Sequence, residues 1–334
     1  MNIGVLGAGS WGTTLSVLLH SNHHRVSLWS YTKEDANAIL STRYNSSYLP
    51  DLFIPSEIQV SHSLELVARD KDMLVLSTPA QFLRSVLLQL RSFDFGTPVL
   101  VNVAKGVERN SLFRMSEVVA QTLTNVPLEN YVCLSGPSHA EEVSIKIPTS
   151  VVAASIRNET VQEIQSVFMK SYFRVYASSD VVGVELGGSI KNIIAIGAGI
   201  IDGAGFGDNT KAALITRGIA EMRRLGVAMG ANPHTFAGLS GLGDLIVTCM
   251  SRHSRNRFVG EEIGKGKKLA DIIDQMKMIA EGIETTQSVY DLSMQHRIEM
   301  PIVQQVHKIL FEHKDPKKAT EELMTREAKE EVWG

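Results

Sequence analysis

The sequence has few of the features that mark secreted or metal-binding proteins. Its 334 residues include two cysteines, Cys133 and Cys249, which lack the spacing of a disulfide framework or a metal site. The ten histidines form no HExxH or similar ligand pattern, so we expect no metal. This cysteine usage fits the reducing cytoplasm, where we expect the protein to act.

Long apolar runs and a strong charge of one sign are also lacking. The most apolar segment, residues 181–202, is punctuated by Glu185, Lys191 and Asp202, so we expect no membrane-spanning helix. The start of the chain has no basic region before its first apolar run, which indicates no signal peptide. The formal net charge of −3 gives no reason to expect nucleic acid or a membrane as a partner.

The residues that are present predict a globular protein of two domains. Hydrophobic residues make up 44% and charged residues 21% of the chain, and 334 residues exceed one ordinary core. Up to about residue 180, β-type runs at 2–6, 25–29, 57–60, 73–76, 99–102, 131–134, 149–153 and 173–176 alternate with helical patterns at 11–22, 33–42, 79–91, 112–124 and 158–170. Beyond it, helical periodicity covers 181–201, 208–229, 243–250, 269–276, 283–296 and 301–312, and a charged terminal helix or frayed end follows. We predict an α/β protein: an N-terminal Rossmann-type doubly wound parallel sheet in residues 1–180, then an all-α C-terminal domain in residues 181–334.

A glycine-rich loop follows the first predicted strand and opens a helix. Gly7, Gly9 and Gly12 match G-x-G-x-x-G in the context that dinucleotide binding requires. The first glycine permits the tight turn, the second lets a pyrophosphate approach the backbone, and the third lets helix and strand pack closely. The motif predicts an NAD(P) site; a plain glycine turn is the alternative.

The second predicted strand ends without the acidic residue typical of NAD-specific sites. Ser30 and Tyr31 occupy that place, and no carboxylate is there to repel a 2′-phosphate. We therefore expect NADP to be accepted, alongside NAD. Lys33 or Arg25 would help to bind this phosphate. The alternative is that each is a charged side chain exposed to solvent.

Two later strand ends carry polar side chains, and ligands of open α/β sheets bind beyond the carboxyl ends of strands. Lys105 follows the run at 99–102 and either faces the nicotinamide side or is a surface lysine. The segment Ser135-Gly-Pro-Ser-His-Ala140 follows the run at 131–134. Its His139 is a candidate acid or base, or a hydrogen-bonded loop histidine.

Lys191 is the most unusual residue of the chain, because its helix is apolar nearly all round. Gly187 and Gly188 precede it by four and three residues on the same helical face, and we expect them to leave room for a ligand. A desolvated lysine can lose its proton near neutral pH and act as a general base. The alternative is a lysine that extends to solvent at a domain boundary.

Two further polar clusters stand at breaks of the helical part. Asp244 ends a glycine-rich stretch, and Ser254, Arg255 and Asn256 form the second cluster. An arginine with neighbouring hydroxyl and amide donors suits a phosphate group. A plain basic surface, which also includes Arg252, is the alternative.

These motifs occur in one order along almost the whole chain. They are Gly7-Ala-Gly-Ser-Trp-Gly12, Ala104-Lys-Gly106, Leu134-Ser-Gly-Pro-Ser138, Glu185-Leu-Gly-Gly-Ser-Ile-Lys-Asn192, Leu239-Ser-Gly-Leu-Gly-Asp-Leu245 and Ser254-Arg-Asn256. The set closely resembles the NAD(P)-dependent glycerol-3-phosphate dehydrogenases of the bacterial cytoplasmic type. The resemblance implies interconversion of sn-glycerol 3-phosphate and dihydroxyacetone phosphate, for glycerophospholipid synthesis.

The resemblance also implies a role for individual residues, with Lys191 as the proton acceptor. The implied substrate site contains Lys105, Gly136, Ser138, Lys191, Asn192, Asp244, Ser254, Arg255 and Asn256. The cofactor site, for NADPH/NADP or NADH/NAD, contains Gly7, Gly9, Ser10, Trp11, Gly12, Tyr31, Lys105, Ala140, Arg255, Ile279 and Glu281. We expect Arg255 and Lys105 to lower the pKa of Lys191 and Asp244 to oppose them. We also expect that the protein can form a homodimer.

Two other interpretations fit parts of the pattern. A reductase of a 2-keto or 2-hydroxy acid shares the two-domain plan and a catalytic lysine, but it does not need the phosphate anchor at residues 254–256. A non-catalytic NAD(P)-binding redox sensor needs the glycine loop, but not Lys191, Asp244 and Arg255 together.

Overall fold

The N-terminal part is an eight-stranded sheet with helices on its faces and a small hairpin at its edge. The computed structural model describes residues 1–276, 278–328 and 330–331. Up to residue 178 its elements are β1 (Asn2–Leu6), α1 (Ser10–Ser21), β2 (Arg25–Trp29), α2 (Lys33–Thr42), β3 (Tyr44–Asn45), β4 (Leu49–Phe53), β5 (Gln59–Ser61), α3 (Leu64–Ala68), β6 (Met73–Leu76), α4 (Ala80–Leu90), β7 (Val99–Asn102), α5 (Met115–Thr122), β8 (Tyr131–Ser135), α6 (Ala140–Ser144), β9 (Thr149–Ala154), α7 (Asn158–Phe168) and β10 (Phe173–Ser178). The predicted alternation of strands and helices is confirmed.

The sheet order is β10-β9-β8-β7-β6-β1-β2-β5, and its strand pairs are parallel except for β8 with β9. The predicted doubly wound parallel sheet is confirmed except at that pair, where Cys133 lies opposite Ala154. A parallel connection must return along the full strand, roughly 16 Å for five residues. The connection between β8 and β9, residues 136–148, is close to the shortest length that a parallel crossover needs, and its helix α6 has five residues and spans only about 8 Å.

Residues 44–53 form a further element, for which the sequence pattern predicted neither a strand nor a helix. Strands β3 and β4 pair there as an antiparallel hairpin, with Pro50 inside β4. From β3, Asn45 Nδ2 donates to the Ala8 carbonyl at 2.7 Å and to Thr13 Oγ1 at 2.9 Å. The hairpin thus holds the glycine loop from one side.

The C-terminal part consists of helices. They are α8 (Val181–Gly203), α9 (Asp208–Ala228), α10 (Asp244–Met250), α11 (Arg255–Gly264), α12 (Leu269–Gln275), α13 (Glu281–Gln295), α14 (Pro301–Phe311) and α15 (Pro316–Met324). A π-helical turn at Leu239–Gly243 leads into α10. Helix α11 was not predicted, because it begins with the polar cluster that we had placed at a break.

Helix α8 is the core of this part, and α9, α10, α11, α13 and α14 pack around it. Its contact with α11 is especially close, because Gly199 and Gly203 face the α11 backbone while Gly260 and Gly264 face the α8 backbone. A Cβ at Gly260 would overlap the carbonyl oxygen of Ile196. This glycine-lined contact brings the start of α11 beside Lys191 and Asn192.

Helix α8 also bears on the expectation that the chain has no helix able to span a membrane. With 23 residues and a mean hydropathy of 1.4, it is long and apolar enough to cross a membrane by those two measures. That differs from the prediction that no segment would qualify. Its apolar window is completely buried within the protein, which is the arrangement of a core helix.

Hydrogen bonds of Glu185 hold the first turns of α8 against α5 and the sheet. Its carboxylate accepts hydrogen bonds from the Tyr131 hydroxyl at 2.6 Å, the Ser116 amide at 2.8 Å and Arg114 Nη1 at 2.8 Å. Burial raises the pKa of this carboxyl group, although the charge of Arg114 opposes the shift. The network fixes the helix in place six residues before Lys191.

Candidate active site

Two lysines from opposite halves of the molecule meet at one buried carboxylate. Lys105, after β7, donates to Asp244 Oδ2 at 2.6 Å, and Lys191, on α8, donates to Asp244 Oδ1. The side chain of Asp244 is 1% exposed and that of Lys191 is 8% exposed. Because one carboxylate pairs with two ammonium groups, the cluster has an excess positive charge that suits an anionic ligand.

Lys191 has one more partner, which the sequence analysis missed. Its Nζ donates to Thr248 Oγ1 at 2.7 Å, and the same hydroxyl donates to the Asp244 carbonyl at 2.6 Å. Thr248 follows Asp244 by four residues on α10, so the two share a helical face. That spacing was the signal that could have identified it.

Burial determines the protonation of Lys191. Desolvation lowers its pKa from 10.5 to about 8; Asp244 opposes this shift and Lys105 adds to it. Burial alone would raise the pKa of Asp244, but the charges of Lys105 and Lys191 hold it below its usual value. The expected influence of Arg255 is not among the main causes, and burial is the largest of them.

Gly187 and Gly188 do not leave the space for a ligand that we expected beside Lys191. A Cβ at Gly187 would lie 2.6 Å from the Ser240 carbonyl oxygen, and a Cβ at Gly188 would lie 2.6 Å from Ser135 Oγ. Protein atoms therefore fill both positions. The glycines let the turn before Asp244 and the end of β8 pack against α8, which brings Asp244 and Lys105 to Lys191.

The loop after β8 contributes to the same cluster. Lys105 Nζ donates to the Gly136 carbonyl at 3.0 Å, and Ser138 Oγ donates to that carbonyl at 2.9 Å. Gly136 has a φ of +144° and lies against the Val151 backbone, which only glycine accommodates without strain. The structure thus brings Gly136 and Ser138 to the lysine pair.

A chain of amide side chains joins α8, α11 and α13. Asn256 Nδ2 donates to Asn192 Oδ1 at 2.9 Å, and the Gly282 amide donates to Asn256 Oδ1 at 2.9 Å. Asn192 Nδ2 reaches the Lys105 carbonyl at 3.4 Å. Asn192 and Asn256 are both buried, so their orientation is fixed from several sides.

Arg255 lies at the first position of α11 and is exposed. Its Nη1 donates to the Ile279 carbonyl at 3.0 Å, and within the described part of the chain its other guanidinium donors have no hydrogen-bond partner, so that they can bind an anion. Ser254 is the N-cap of this helix, and its hydroxyl accepts from the Arg257 amide at 3.2 Å. Half-buried Glu281, at the start of α13, accepts from the Ala80 amide at 2.9 Å.

The glycine loop has the shape of a phosphate cradle. Gly7 has a φ of +124°, and a Cβ at Gly12 would overlap the Gly7 carbonyl oxygen. Apart from the two chain neighbours of Gly9, no atom of the described residues lies within 4 Å of a Cβ added there, and none of their side chains caps α1. The open backbone and the free first-turn amides of α1 therefore fit the pyrophosphate of a dinucleotide.

The remaining predicted cofactor residues surround this loop. Ser10 Oγ donates to the Tyr48 carbonyl at 3.0 Å, and the Trp11 ring lies 6.4 Å from that of Phe173. Tyr31 follows β2 and is 77% exposed. Ala140 is buried, and its carbonyl accepts from Thr14 Oγ1 at 3.4 Å. Among the described residues, no cluster of three or more histidine, cysteine, aspartate and glutamate side chains has the arrangement of a metal site.

Comparison with known proteins yields two family models that cover almost the whole chain. The model for the N-terminal part of NAD-dependent glycerol-3-phosphate dehydrogenase matches residues 2–161, and that for its C-terminal part matches residues 180–321. Together they include every residue of the site described above.

Full-length relatives agree with the family models. The chain is 51% identical over 333 residues to a glycerol-3-phosphate dehydrogenase [NAD(P)+] of Chlorobium limicola, with complete coverage of both chains. It is 52% identical to the protein of that name from Pelotomaculum thermopropionicum, over 97% of this chain and 93% of the other. The crystal structure of a glycerol-3-phosphate dehydrogenase from Coxiella burnetii superposes with a TM-score of 0.93 at 37% identity, covering 97% of this chain and 99% of that one.

Proposed function

The chain belongs to the family of NAD-dependent glycerol-3-phosphate dehydrogenases, and we propose that Lys191 is the proton acceptor of its reaction. It is an NAD(P)-dependent oxidoreductase that interconverts sn-glycerol 3-phosphate and dihydroxyacetone phosphate. The observation that carries the residue assignments is the buried cluster in which Lys105 and Lys191 share the carboxylate of Asp244.

The glycine loop would hold the cofactor by its phosphates. Gly9 offers open backbone, and the first turn of α1 offers free amides and the positive end of a helix dipole. The bound nicotinamide supplies the chemistry of accepting or giving a hydride at its C4 atom.

Lys191 would accept a proton from the substrate in oxidation and donate one in reduction. In oxidation, its neutral amine takes the proton of the C2 hydroxyl while the C2 hydrogen leaves as a hydride, which gives the ketone. In reduction, its ammonium group returns a proton to the carbonyl oxygen. A pKa of about 8 makes both forms available near neutral pH. Asp244 and Thr248 hold the amine in one direction, so that it is positioned before substrate binds.

The phosphate group would lie against the cations at the edge of the cluster. Arg255 is exposed with free donors, Lys105 adds a second positive charge, and Asn256 fixes the first turn of α11. Ser138, Gly136 and Ser254 supply further polar groups on this side. Binding energy from the phosphate then positions the reacting carbon beside Lys191.

The experiment that tests the function is a comparison of substrates. Purified protein should oxidise NADPH or NADH rapidly when dihydroxyacetone phosphate is added, and far more slowly with 2-ketopantoate or pyruvate. Comparable or faster turnover of the ketoacids would favour the keto acid reductase instead. Cofactor binding without turnover of any of these substrates would favour the redox sensor.

We place the division between the cofactor part and the substrate part at residue 180, since the sheet ends at Ser178 and α8 begins at Val181. We place the enzyme in the cytoplasm, supplying glycerol 3-phosphate for glycerophospholipid synthesis; both cysteines are buried and unpaired.

We also propose a homodimer through the helical part. A groove of about 550 Å³ between α8, α9, α14 and α15 has an apolar lining that includes Leu214, Val306 and Leu323. Met324 at its edge is 77% exposed. Exposed apolar surface of this kind is typical of protein contacts. Light scattering after size exclusion should give twice the monomer mass; a monomer mass at micromolar concentration would contradict it.

A further inference from the structure

His139 contains a buried polar atom with no partner in the described part of the structure. It lies directly before α6, yet its side chain does not cap that helix. Its Nε2 is shielded from solvent and makes no hydrogen bond there. The alternative of a hydrogen-bonded loop histidine therefore fails for this atom. A buried donor or acceptor left unpaired is costly, and each such atom in a native protein needs an explanation, of which a bound ligand or water is one.

The imidazole lies at the proposed substrate site. His139 follows Ser138 in the loop whose Gly136 carbonyl binds Lys105 at 3.0 Å. Its ring centroid is 5.9 Å from that of His253, which directly precedes Ser254. The charges of Lys191 and Asp244 are near enough to affect its ionisation.

The surroundings of His139 favour the neutral imidazole over the charged form. Burial lowers the pKa of His139, and the nearby charge of Lys191 lowers it further. It therefore adds no positive charge for the phosphate, which Arg255 and Lys105 already supply. A neutral imidazole nitrogen exchanges a single hydrogen bond with an uncharged group such as a hydroxyl.

Glycerol 3-phosphate and dihydroxyacetone phosphate share one polar group to which no binding residue of the site has been assigned. The C2 oxygen is assigned to Lys191 and the phosphate to the cations, which leaves the C1 hydroxyl. We propose that Nε2 of His139 forms a hydrogen bond with this hydroxyl and makes the enzyme select a hydroxymethyl ketone over a methyl ketone. The inference rests on the proposed function, because it concerns the same substrate.

The test uses two substrates that differ by this hydroxyl alone. Acetonyl phosphate is dihydroxyacetone phosphate with a methyl group in place of the hydroxymethyl group. In His139→Phe we expect kcat/KM for dihydroxyacetone phosphate to fall about ten- to a hundredfold and that for acetonyl phosphate to change less than about threefold. An equal loss for both substrates would assign His139 a structural role and overturn the proposal.

Two conservative variants keep the test informative if His139→Phe is unstable. The amide of glutamine reaches the position of Nε2, whereas that of asparagine reaches only the position of Nδ1. His139→Gln should keep most of the preference for dihydroxyacetone phosphate, and His139→Asn should lose it, both with unchanged affinity for NADPH. Equal preference in the two variants would contradict the use of Nε2.

The wild-type enzyme separates this inference from the proposed function. If it turns over dihydroxyacetone phosphate and acetonyl phosphate equally well, only the role of His139 is wrong. If it turns over neither, the proposed function itself is wrong and the role of His139 falls with it.

Discussion

Lys191 and Asp244 form a buried ion pair although 53 positions separate them in the chain. Helix α8 carries the lysine, and the first residue of α10 carries the aspartate. Removing either partner leaves the other charge buried without compensation, which costs a few kcal/mol in comparable cases. The pair links the stability of the helical core to the ionisation on which the proposed reaction depends.

The first prediction concerns pH. Because the pKa of Lys191 is about 8, kcat/KM for oxidation should rise about tenfold per pH unit below pH 8 and level off above it. Reduction needs the protonated form and should decline as pH rises through the same region. Initial rates in both directions between pH 6 and pH 10 test this. A profile with the same slope in both directions would contradict the assignment of Lys191.

Asp244→Asn provides the matched check on that profile. Asp244 raises the pKa of Lys191, so its removal should move the midpoint of the profile to lower pH. A midpoint that stays in place would mean that another group titrates.

The second prediction concerns the phosphate. Arg255→Ala should raise KM for dihydroxyacetone phosphate about ten- to a hundredfold, because one charged hydrogen-bonding group is lost. The control is Arg252→Ala, which removes an exposed arginine three residues earlier and should change KM less than about twofold. Unchanged KM in Arg255→Ala, with weakened NADPH binding, would limit Arg255 to the cofactor.

The third prediction separates two glycines of the same loop. Gly9 has an ordinary φ of −74° and open space around an added Cβ, so Gly9→Ala should keep the melting temperature but weaken NADPH binding at least about tenfold. Gly12→Ala places its methyl group on the Gly7 carbonyl oxygen and should cost about 1–3 kcal/mol of stability. Fluorescence titration with NADPH and thermal melts distinguish the two. Equal effects on stability would refute the separation.

The fourth prediction concerns Glu221, which is buried and accepts hydrogen bonds from the Ile302 and Val303 amides at 2.7 and 3.2 Å. Burial raises its pKa from 4.5 to about 7. The folded state thus holds this proton to higher pH than the unfolded state. The contribution of Glu221 to the free energy of unfolding is fully present below about pH 4.5 and is lost as pH rises through about 7.

Glu221→Gln should remove this loss, which amounts to about 3 kcal/mol, and should flatten the pH dependence of unfolding between pH 5 and about 8. Urea melts at several pH values measure it. The exposed Glu34 on α2 provides a control, since Glu34→Gln should leave the dependence unchanged. A pH dependence of unfolding that Glu221→Gln does not alter would show that Glu221 is not its source.

Local patterns in the sequence predicted much of the sheet. The strands near residues 2–6, 25–29 and 73–76 are apolar runs bounded by clear helical periodicity, and the glycine loop follows the first of them. The direction of β9 was not predictable in this way, because strand direction depends on how the connection packs rather than on the strand's own residues.

Helix α11 was also not predictable from local patterns, because its residues favour a helix only in their tertiary setting. Gly260 and Gly264 disfavour a helix in isolation, but they are needed for its close contact with α8. Tertiary packing also explains why the interpretation of Gly187 and Gly188 as space for a ligand was wrong. Neighbouring protein atoms fill the space beside both glycines. Lys191 and Asp244 were each recognisable in the sequence; their ion pair follows from helix packing that no local pattern contains.

The most direct test of the proton acceptor is Lys191→Met, which keeps the length of the side chain and removes its amine. We expect kcat to fall about a hundred- to ten-thousandfold while the affinity for NADPH stays within about threefold. The control is Lys211→Met, which removes another largely buried lysine that pairs with an aspartate, Asp202, and should keep near-normal turnover. Near-normal turnover in Lys191→Met would contradict the central claim.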